Sequence, residues 1–272
     1  MEVVRFRVGA WLVGMVLLLA TVLPAWGQEK PSGEASVDVL SQYIWRGYAL
    51  SSDSVVIEPS IGLSYRGFYA NFWGNYDTNE KSNASGGPGR TPDEANWNET
   101  DFTVGYTYDK LPYGLSLDVG TIYYSFDYAD DSFEIYAGLS ATCPFTGIDF
   151  GLTVYREVSH YPGWWIELSA AKSFPLPWYK ASLDLGATVI YQSSDDAGAY
   201  ADPDDPNDEY SAWHSANISV AVSIPVGEYI TVTPQVGYWF ALSSDAKDVI
   251  ETTSWESQHD YLYGGIGVSM SW

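Results

Sequence analysis

The sequence is poor in several residue types on which whole classes of protein depend. Its 272 residues include one cysteine, Cys143, so a disulfide framework and a cysteine-based zinc site are excluded. Twelve lysines and arginines stand against 35 aspartates and glutamates, and the net charge of −23 argues against nucleic acid or an anionic membrane surface as a partner. Charged residues make up 17% of the chain, whereas about 25% is usual in a soluble domain.

Aromatic residues are abundant instead. They make up 16% of the chain, with 12 tryptophans and 22 tyrosines. Few charges together with many aromatic rings indicate that something other than water covers part of the surface.

Residues 1–27 have the layout of a secretory signal peptide. Arg5 and Arg7 precede an apolar run at 11–23, which is followed by Pro24 and the small pair Ala25 and Gly27. The apolar run is too short for a confident spanning helix, although an N-terminal anchor helix is the alternative. We therefore expect a mature domain at 28–272, exported from the cytoplasm.

The mature chain shows a period of two in segments of about ten residues. In residues 261–272, the even-numbered positions are apolar apart from one glycine, and the odd-numbered ones are Tyr, Gly or Ser. About ten segments share this split, and weaker ones near 35–45 and 114–125 bring the count to about twelve. An even strand number is typical of bacterial outer-membrane barrels, although a soluble β-sandwich also alternates.

The connections favour the barrel. Short ones strictly alternate with longer ones, as in an up-and-down meander with short periplasmic turns and longer extracellular loops. The short connections are 66–67, 110–113, 143–147, 175–180 and 225–228, and the longer ones are 46–54, 77–96, 126–131, 159–163, 192–210 and 241–258. We therefore predict an all-β, transmembrane, up-and-down antiparallel β-barrel of about twelve strands.

Aromatic residues at the strand ends agree with this prediction. A ring at such a position can place its body in lipid and its polar atom among the headgroups, although aromatics are common in any β protein. The predicted membrane-anchoring residues are Trp164, Trp178, Tyr229, Tyr238 and Trp272.

Residues 41–47, which read Ser-Gln-Tyr-Ile-Trp-Arg-Gly, and the stretches Gly67 to Ala70 and Trp73 to Asn75 carry a family resemblance. They resemble bacterial outer-membrane porins of the Gcw-type, TorF-like conserved proteins, over about the first third of the mature chain. The resemblance implies the outer membrane of a Gram-negative bacterium, with lipid and lipopolysaccharide as surroundings. The final strand, ending on Trp272, resembles the signal read by the barrel-assembly machinery.

Inward positions suggest a water-filled passage, because many are Gly, Ser or Thr. Carboxylates on the same face would favour cations, unless they are simply solvated or paired with arginines. The candidates for lumen and selectivity are Arg46, Glu58, Asp101, Asp118, Glu134, Asp149, Glu167 and Asp184. Five inward aromatic residues could narrow or plug the passage: Tyr69, Trp73, Tyr136, Tyr155 and Trp165.

Arg46 lies where the first strand enters its loop, and two roles are open to it. It could reach an inward carboxylate such as Glu58 and fix the geometry of the mouth. Alternatively, it could contact a lipopolysaccharide phosphate as a bidentate partner.

Metal binding and catalysis have weaker support. The acidic loop could bind Ca²⁺ through Asp202, Asp204, Asp205, Asp208 and Glu209, but it lacks the glycine and closing glutamate of a helix-loop-helix site. A solvated loop is favoured, and we expect no metal or cofactor. The pairs Ser159-His160 and His214-Ser215 are adjacent, so on a strand their side chains would point to opposite faces. We therefore predict no catalytic residues and no enzyme.

The predicted function is that of a porin-like channel for passive diffusion of small hydrophilic solutes, with an acidic lumen favouring cations. The alternative is a non-conducting surface protein of the outer membrane, whose acidic loops bind a partner or a divalent cation.

Overall fold

The computed structural model describes residues 30–81 and 94–272, and in them the chain forms a closed barrel of twelve antiparallel strands. The predicted signal peptide lies outside these residues. In the described part of the chain, no helix is long and apolar enough to cross a membrane.

Each barrel strand pairs with its neighbours along the chain, and the first strand closes on the last, with Val37 opposite Val268. The predicted up-and-down antiparallel barrel is therefore confirmed. The barrel strands are β1 (Ser32–Leu40), β4 (Val56–Tyr65), β5 (Phe68–Glu80), β6 (Glu94–Tyr108), β7 (Ser116–Phe126), β8 (Ser132–Thr142), β9 (Asp149–Glu157), β10 (Gly163–Pro175), β11 (Ser182–Ser194), β12 (Ser211–Val226), β13 (Ile230–Ala241) and β14 (Asp260–Ser271).

The apolar face of the strands points outward. Leu262, Val104 and Leu63 are 69%, 59% and 54% exposed, respectively, although each lies in a strand that is paired on both sides. Exposed apolar residues scattered singly are normal, but a continuous apolar belt around a barrel is the surface that hydrocarbon covers. The apolar positions of the period of two therefore lie on the outer face of the barrel.

The short connections gather at one end of the barrel, which we call the short-turn end. The tightest is the two-residue turn between β4 and β5, where Arg66 and Gly67 have φ values of 53° and 85°. Positive φ at both central residues is the hairpin geometry that matches the twist of the flanking strands. A 3₁₀ turn at Pro112–Gly114 joins β6 to β7 at the same end.

The opposite, long-loop end contains two elements that the sequence did not predict, although residues 44–45 belong to the weaker strand predicted near 35–45. One is a small hairpin of β2 (Ile44–Trp45) and β3 (Tyr48–Ala49), and the other is the helix α1 (Ser244–Thr253). Ser243 caps the helix by accepting a hydrogen bond from the main-chain N–H of Ala246. Both elements position residues inside the barrel.

Candidate functional site: the occupied half of the lumen

Residues 41–55, which we call the plug segment, fold into the lumen instead of extending outward from the rim. The main-chain N–H of Leu50 donates to the carbonyl of Tyr43 over 2.9 Å and closes the hairpin. Ala49 is held on both sides, since its N–H donates to Ser254 Oγ over 3.0 Å and its carbonyl accepts from the N–H of Trp255 over 2.8 Å. The loop before β14 thus anchors the plug segment.

The plug segment and α1 build a hydrophobic core inside the barrel. Its buried members come from the plug segment, from the helix and from inward positions of four strands or strand ends. They are Tyr48, Ala49, Trp165, Ile190, Tyr210, Ala246, Val249, Ile250 and Tyr261. The long-loop half of the lumen is therefore filled with protein, whereas the inward positions near the short-turn end are mostly Ser, Gly and Thr.

Arg46 is buried at the tip of the plug segment and pairs with Glu134. The two guanidinium nitrogens donate to the two carboxylate oxygens over 2.6 and 2.9 Å, and the side chains are 8% and 2% exposed. Tyr124 donates a further hydrogen bond to Glu134 over 2.8 Å. Burial alone would lower the pKa of Arg46, but the neighbouring Glu134 carboxylate raises it above its usual range, so the guanidinium stays charged.

Three aromatic rings surround the same guanidinium. Its central carbon lies 4.5, 4.3 and 4.9 Å from the ring centroids of Trp45, Tyr155 and Trp165, respectively. Such contacts stabilise a desolvated cation by about 2 kcal/mol. Arg46 therefore pairs with Glu134 and not with Glu58. Arg46 thus reaches an inward carboxylate, as the first of its two predicted roles expects, although that carboxylate is Glu134 and not the example Glu58. Its burial leaves no face for a lipopolysaccharide phosphate, so the second role does not fit this structure.

All five aromatic candidates for a constriction point inward, but they contact the plug segment or each other by separate routes. Trp73 packs on Tyr43, with ring centroids 5.4 Å apart. Trp165 packs on Trp45 and Tyr48 at 5.1 and 6.2 Å. The plug segment thus lies between these two tryptophans.

Tyr69 and Tyr136 approach each other over a glycine pair. Tyr69 is the cross-strand partner of Gly105, Tyr136 is the partner of Gly120, and the two glycines face each other between β6 and β7. A methyl group at Gly105 would overlap the ring of Tyr69. The absence of side chains on both glycines therefore lets the hydroxyls of the two tyrosines meet, with Asp118 accepting from Tyr69 over 2.7 Å.

The carboxylate candidates occupy different environments. Glu58 is 9% exposed and lies opposite Asp38 across β1 and β4, and one of its oxygens has no hydrogen-bond partner within the described part of the chain. Asp101 and Glu167 are on the inward faces of β6 and β10. Asp184, near the short-turn end, accepts from Ser223 over 2.7 Å.

Asp149 is exposed at the end of β9, where Thr142 donates to it. Basic side chains are scarce inside. Arg156 and Lys172 lie on the outward parity of β9 and β10, and Arg156 pairs with Asp195. Among the residues that the structure describes, Arg46 is the one lysine or arginine side chain buried in the lumen.

The acidic loop uses its carboxylates locally. Asp205 accepts from the main-chain and side-chain N–H groups of Asn207, both over 3.0 Å, and these bonds lower the pKa of Asp205. Asp202 likewise accepts from the N–H of Asp204 over 2.9 Å. Within residues 30–81 and 94–272, no group of three or more acidic, His or Cys side chains is placed to hold a metal.

Ser159 and His160 lie in the connection predicted at 159–163, and there their side chains meet. Ser159 Oγ is 3.0 Å from His160 Nδ1, which is also 2.7 Å from the main-chain carbonyl of Asp131. A carbonyl only accepts, so Nδ1 carries the proton and donates it there. His160 therefore cannot accept the serine proton through this nitrogen, as a general base would have to.

The five predicted anchoring aromatics are exposed on the barrel surface at 39–55%. Trp178, Tyr229 and Trp272 lie at the short-turn end, and Trp164 and Tyr238 lie near the long-loop end. Both rims of the apolar belt thus carry amphipathic rings, as an interface with lipid headgroups requires.

Sequence reasoning missed several interior residues. Glu99 and Glu157 share the inward parity of Asp101 and Tyr155, so extending the same pattern by one step would have found them. His214 is fully buried, with Nδ1 2.9 Å from the hydroxyl of Tyr210, and a bulge between β11 and β12 disguises its direction.

The described chain has the fold of an outer-membrane porin, with a closed barrel, an apolar belt and a partly filled lumen. Three solved structures are similar to it, each at low identity. A KdgM porin is 11% identical, with a TM-score of 0.51, 88% of this chain covered and 99% of the other. An outer-membrane channel from Pseudomonas putida F1 is 10% identical, with a TM-score of 0.51 and coverages of 92% and 100%. A NanC porin is 12% identical, with a TM-score of 0.50 and coverages of 87% and 98%.

At these identities the likeness shows the fold alone. Residues 31–203 match the model of a family described as bacterial protein of unknown function (Gcw_chp), and the chain belongs to that family. No curated protein matches the sequence.

Proposed function

We propose that the protein is a narrow, cation-favouring channel for small hydrophilic solutes in the outer membrane of a Gram-negative bacterium. The observation that supports it best is the charge of the lumen. Acidic side chains point inward, and Arg46, already neutralised by Glu134, is the one buried lysine or arginine among the described residues. A carboxylate-lined passage raises the local concentration of cations and excludes anions. The short turns would face the periplasm, and the TorF-like designation stays a prediction.

The plug segment sets the size of the passage in this proposal. It fills the long-loop half, while small side chains line the rest, so solutes must pass around the plug segment or wait for it to move. We therefore expect a small conductance for the native protein and a larger one when residues 43–50 are replaced by a short Gly-Ser linker.

Planar-bilayer recording of the mature protein tests the proposal. In a KCl gradient, we expect discrete steps whose reversal potential has the sign of cation preference. The double variant Asp118→Asn, Asp184→Asn removes two carboxylates from the lumen wall near the short-turn end, and it should move the reversal potential toward zero. Asp204→Asn, in the exposed acidic loop, is the matched control and should not.

The interior core gives support to a second candidate, a surface protein that does not conduct. Tyr48, Ala49 and Ile250 are no more than 1% exposed, as in the core of a stable globular domain. If both the native protein and the plug-segment variant are silent in bilayers while correctly folded, this second candidate replaces the channel.

A further inference from the structure

A cavity of about 260 Å³ opens at the long-loop end, beside the Arg46–Glu134 pair. Nine of its sixteen lining residues are Phe, Tyr or Trp. They come from strands, loops and the plug segment together, including Trp45 of the plug segment, Trp165 of β10, Tyr200 of the acidic loop and Trp255 after α1. The site is therefore assembled only in the folded barrel.

The charged groups of the lining are both carboxylates, Glu134 and Glu157, and they are 1% and 2% exposed. Glu157 accepts from five donors, which are the Ser132 hydroxyl and the main-chain N–H groups of residues 133, 159, 160 and 161. Four of these donors meet Oε1 and one, the N–H of residue 161, meets Oε2, so Glu157 is held by donors alone, as fits an acceptor-only carboxylate. The cavity thus offers a negative potential and aromatic faces, with its carboxylates already satisfied by hydrogen bonds.

The same lining already holds one cation. Trp45, Trp165 and Glu134 line the cavity, and all three contact the guanidinium of Arg46. Arg46 cancels the charge of Glu134, but Glu157 remains without a basic partner among its hydrogen-bond contacts. The net potential at the cavity therefore stays negative.

We propose that this cavity binds a small organic cation of the alkylammonium class. The rings of the cavity would stabilise the cation through their negative faces, and the buried carboxylates would add a longer-range attraction. A sugar is a poorer fit, because its hydroxyl groups require several polar partners and both carboxylates of the cavity already accept hydrogen bonds from protein donors. The volume lies below the roughly 300–1,000 Å³ of sites for drug-sized ligands, so the occupant is small.

Choline and its neutral carbon isostere 3,3-dimethylbutan-1-ol form a matched pair of probes. Both are titrated into the mature protein in detergent micelles, at constant ionic strength, by isothermal titration calorimetry. We expect saturable binding of choline with an affinity at least tenfold higher than that of the isostere. Trp255→Leu, which removes a ring of the lining, should weaken choline binding at least threefold. Trp178→Leu, the same change at the short-turn end, should leave it unchanged.

Equal affinity for choline and the isostere would overturn the proposal, because the cavity would then be merely apolar. Absence of saturable choline binding, or equal loss in the two leucine variants, would overturn it as well. Folding of each variant is checked by the heat-dependent mobility of the barrel on gels. The binding measurement requires no ion flow, so a silent bilayer would refute the channel without touching this inference.

Discussion

Removing Arg46 should free the plug segment. The variant Arg46→Ala leaves Glu134 buried without its partner, and breaking a buried ion pair from one side costs about 3–5 kcal/mol. Since 1.4 kcal/mol is a factor of ten, the local opening equilibrium should rise by about 10² fold to several thousandfold. We expect the amides of Ala49 and Leu50, which are protected by hydrogen bonds to Ser254 and Tyr43, to exchange faster by that factor.

Hydrogen exchange by mass spectrometry, on the protein folded in micelles, measures this directly. Arg156→Ala is the matched control, because its bridge to Asp195 is 25% and 43% exposed and contributes about 0–1 kcal/mol. The double variant Arg46→Ala, Glu134→Ala should recover part of the loss, since it leaves no buried charge unpaired. If exchange in residues 43–50 is no faster in Arg46→Ala than in Arg156→Ala, the pair does not hold the plug segment.

Three other predictions concern the barrel itself. The Thr146 hydroxyl lowers the pKa of Cys143, so more of this thiol is thiolate at neutral pH. An impermeant maleimide should therefore label Cys143 rapidly only after the outer membrane is permeabilised. Labelling of intact cells would place the short turns outside the cell. Gly105→Ala should destabilise the barrel by about 1–3 kcal/mol, because the methyl group displaces Tyr69, and an unchanged thermal midpoint would contradict this. Trp272→Ala should reduce the folded protein in outer-membrane fractions more than Trp178→Ala does, and an equal reduction in the two variants would refute a special role for Trp272.

The wall of the barrel could be predicted from the sequence because it obeys a local rule. In β14, side chains alternate between lipid and lumen, and no distant contact is needed to decide which is which. The same rule placed Asp101, Glu134 and Trp165 inside. The alternation of short and long connections then gave the strand order, since each hairpin joins neighbours.

The content of the lumen could not be predicted in the same way. Arg46 and Glu134 are 88 positions apart, and strand parity gives many inward carboxylates but does not say which of them a loop will reach. The helix α1 was predictable from Ser243 and the spacing of Ala246, Val249 and Ile250, the residues that it buries. The alternation rule applies only to strands, so it gives no position for the connections that contain the plug segment and the helix.

The two connections that fill the lumen flank the seam where β1 meets β14. Ala49 follows β1 and Ser254 precedes β14, 205 positions further along the chain. Their hydrogen bond joins the connections beside these two strands, which become neighbours only when the barrel closes. This hydrogen bond therefore couples the pairing of β1 with β14 to the packing of the plug segment in the lumen. An intermediate in which β1 and β14 are not yet paired would expose the rings of Tyr48 and Trp165 to water, which is unfavourable. Pairing of the two strands buries these rings and also removes the open edges of the sheet.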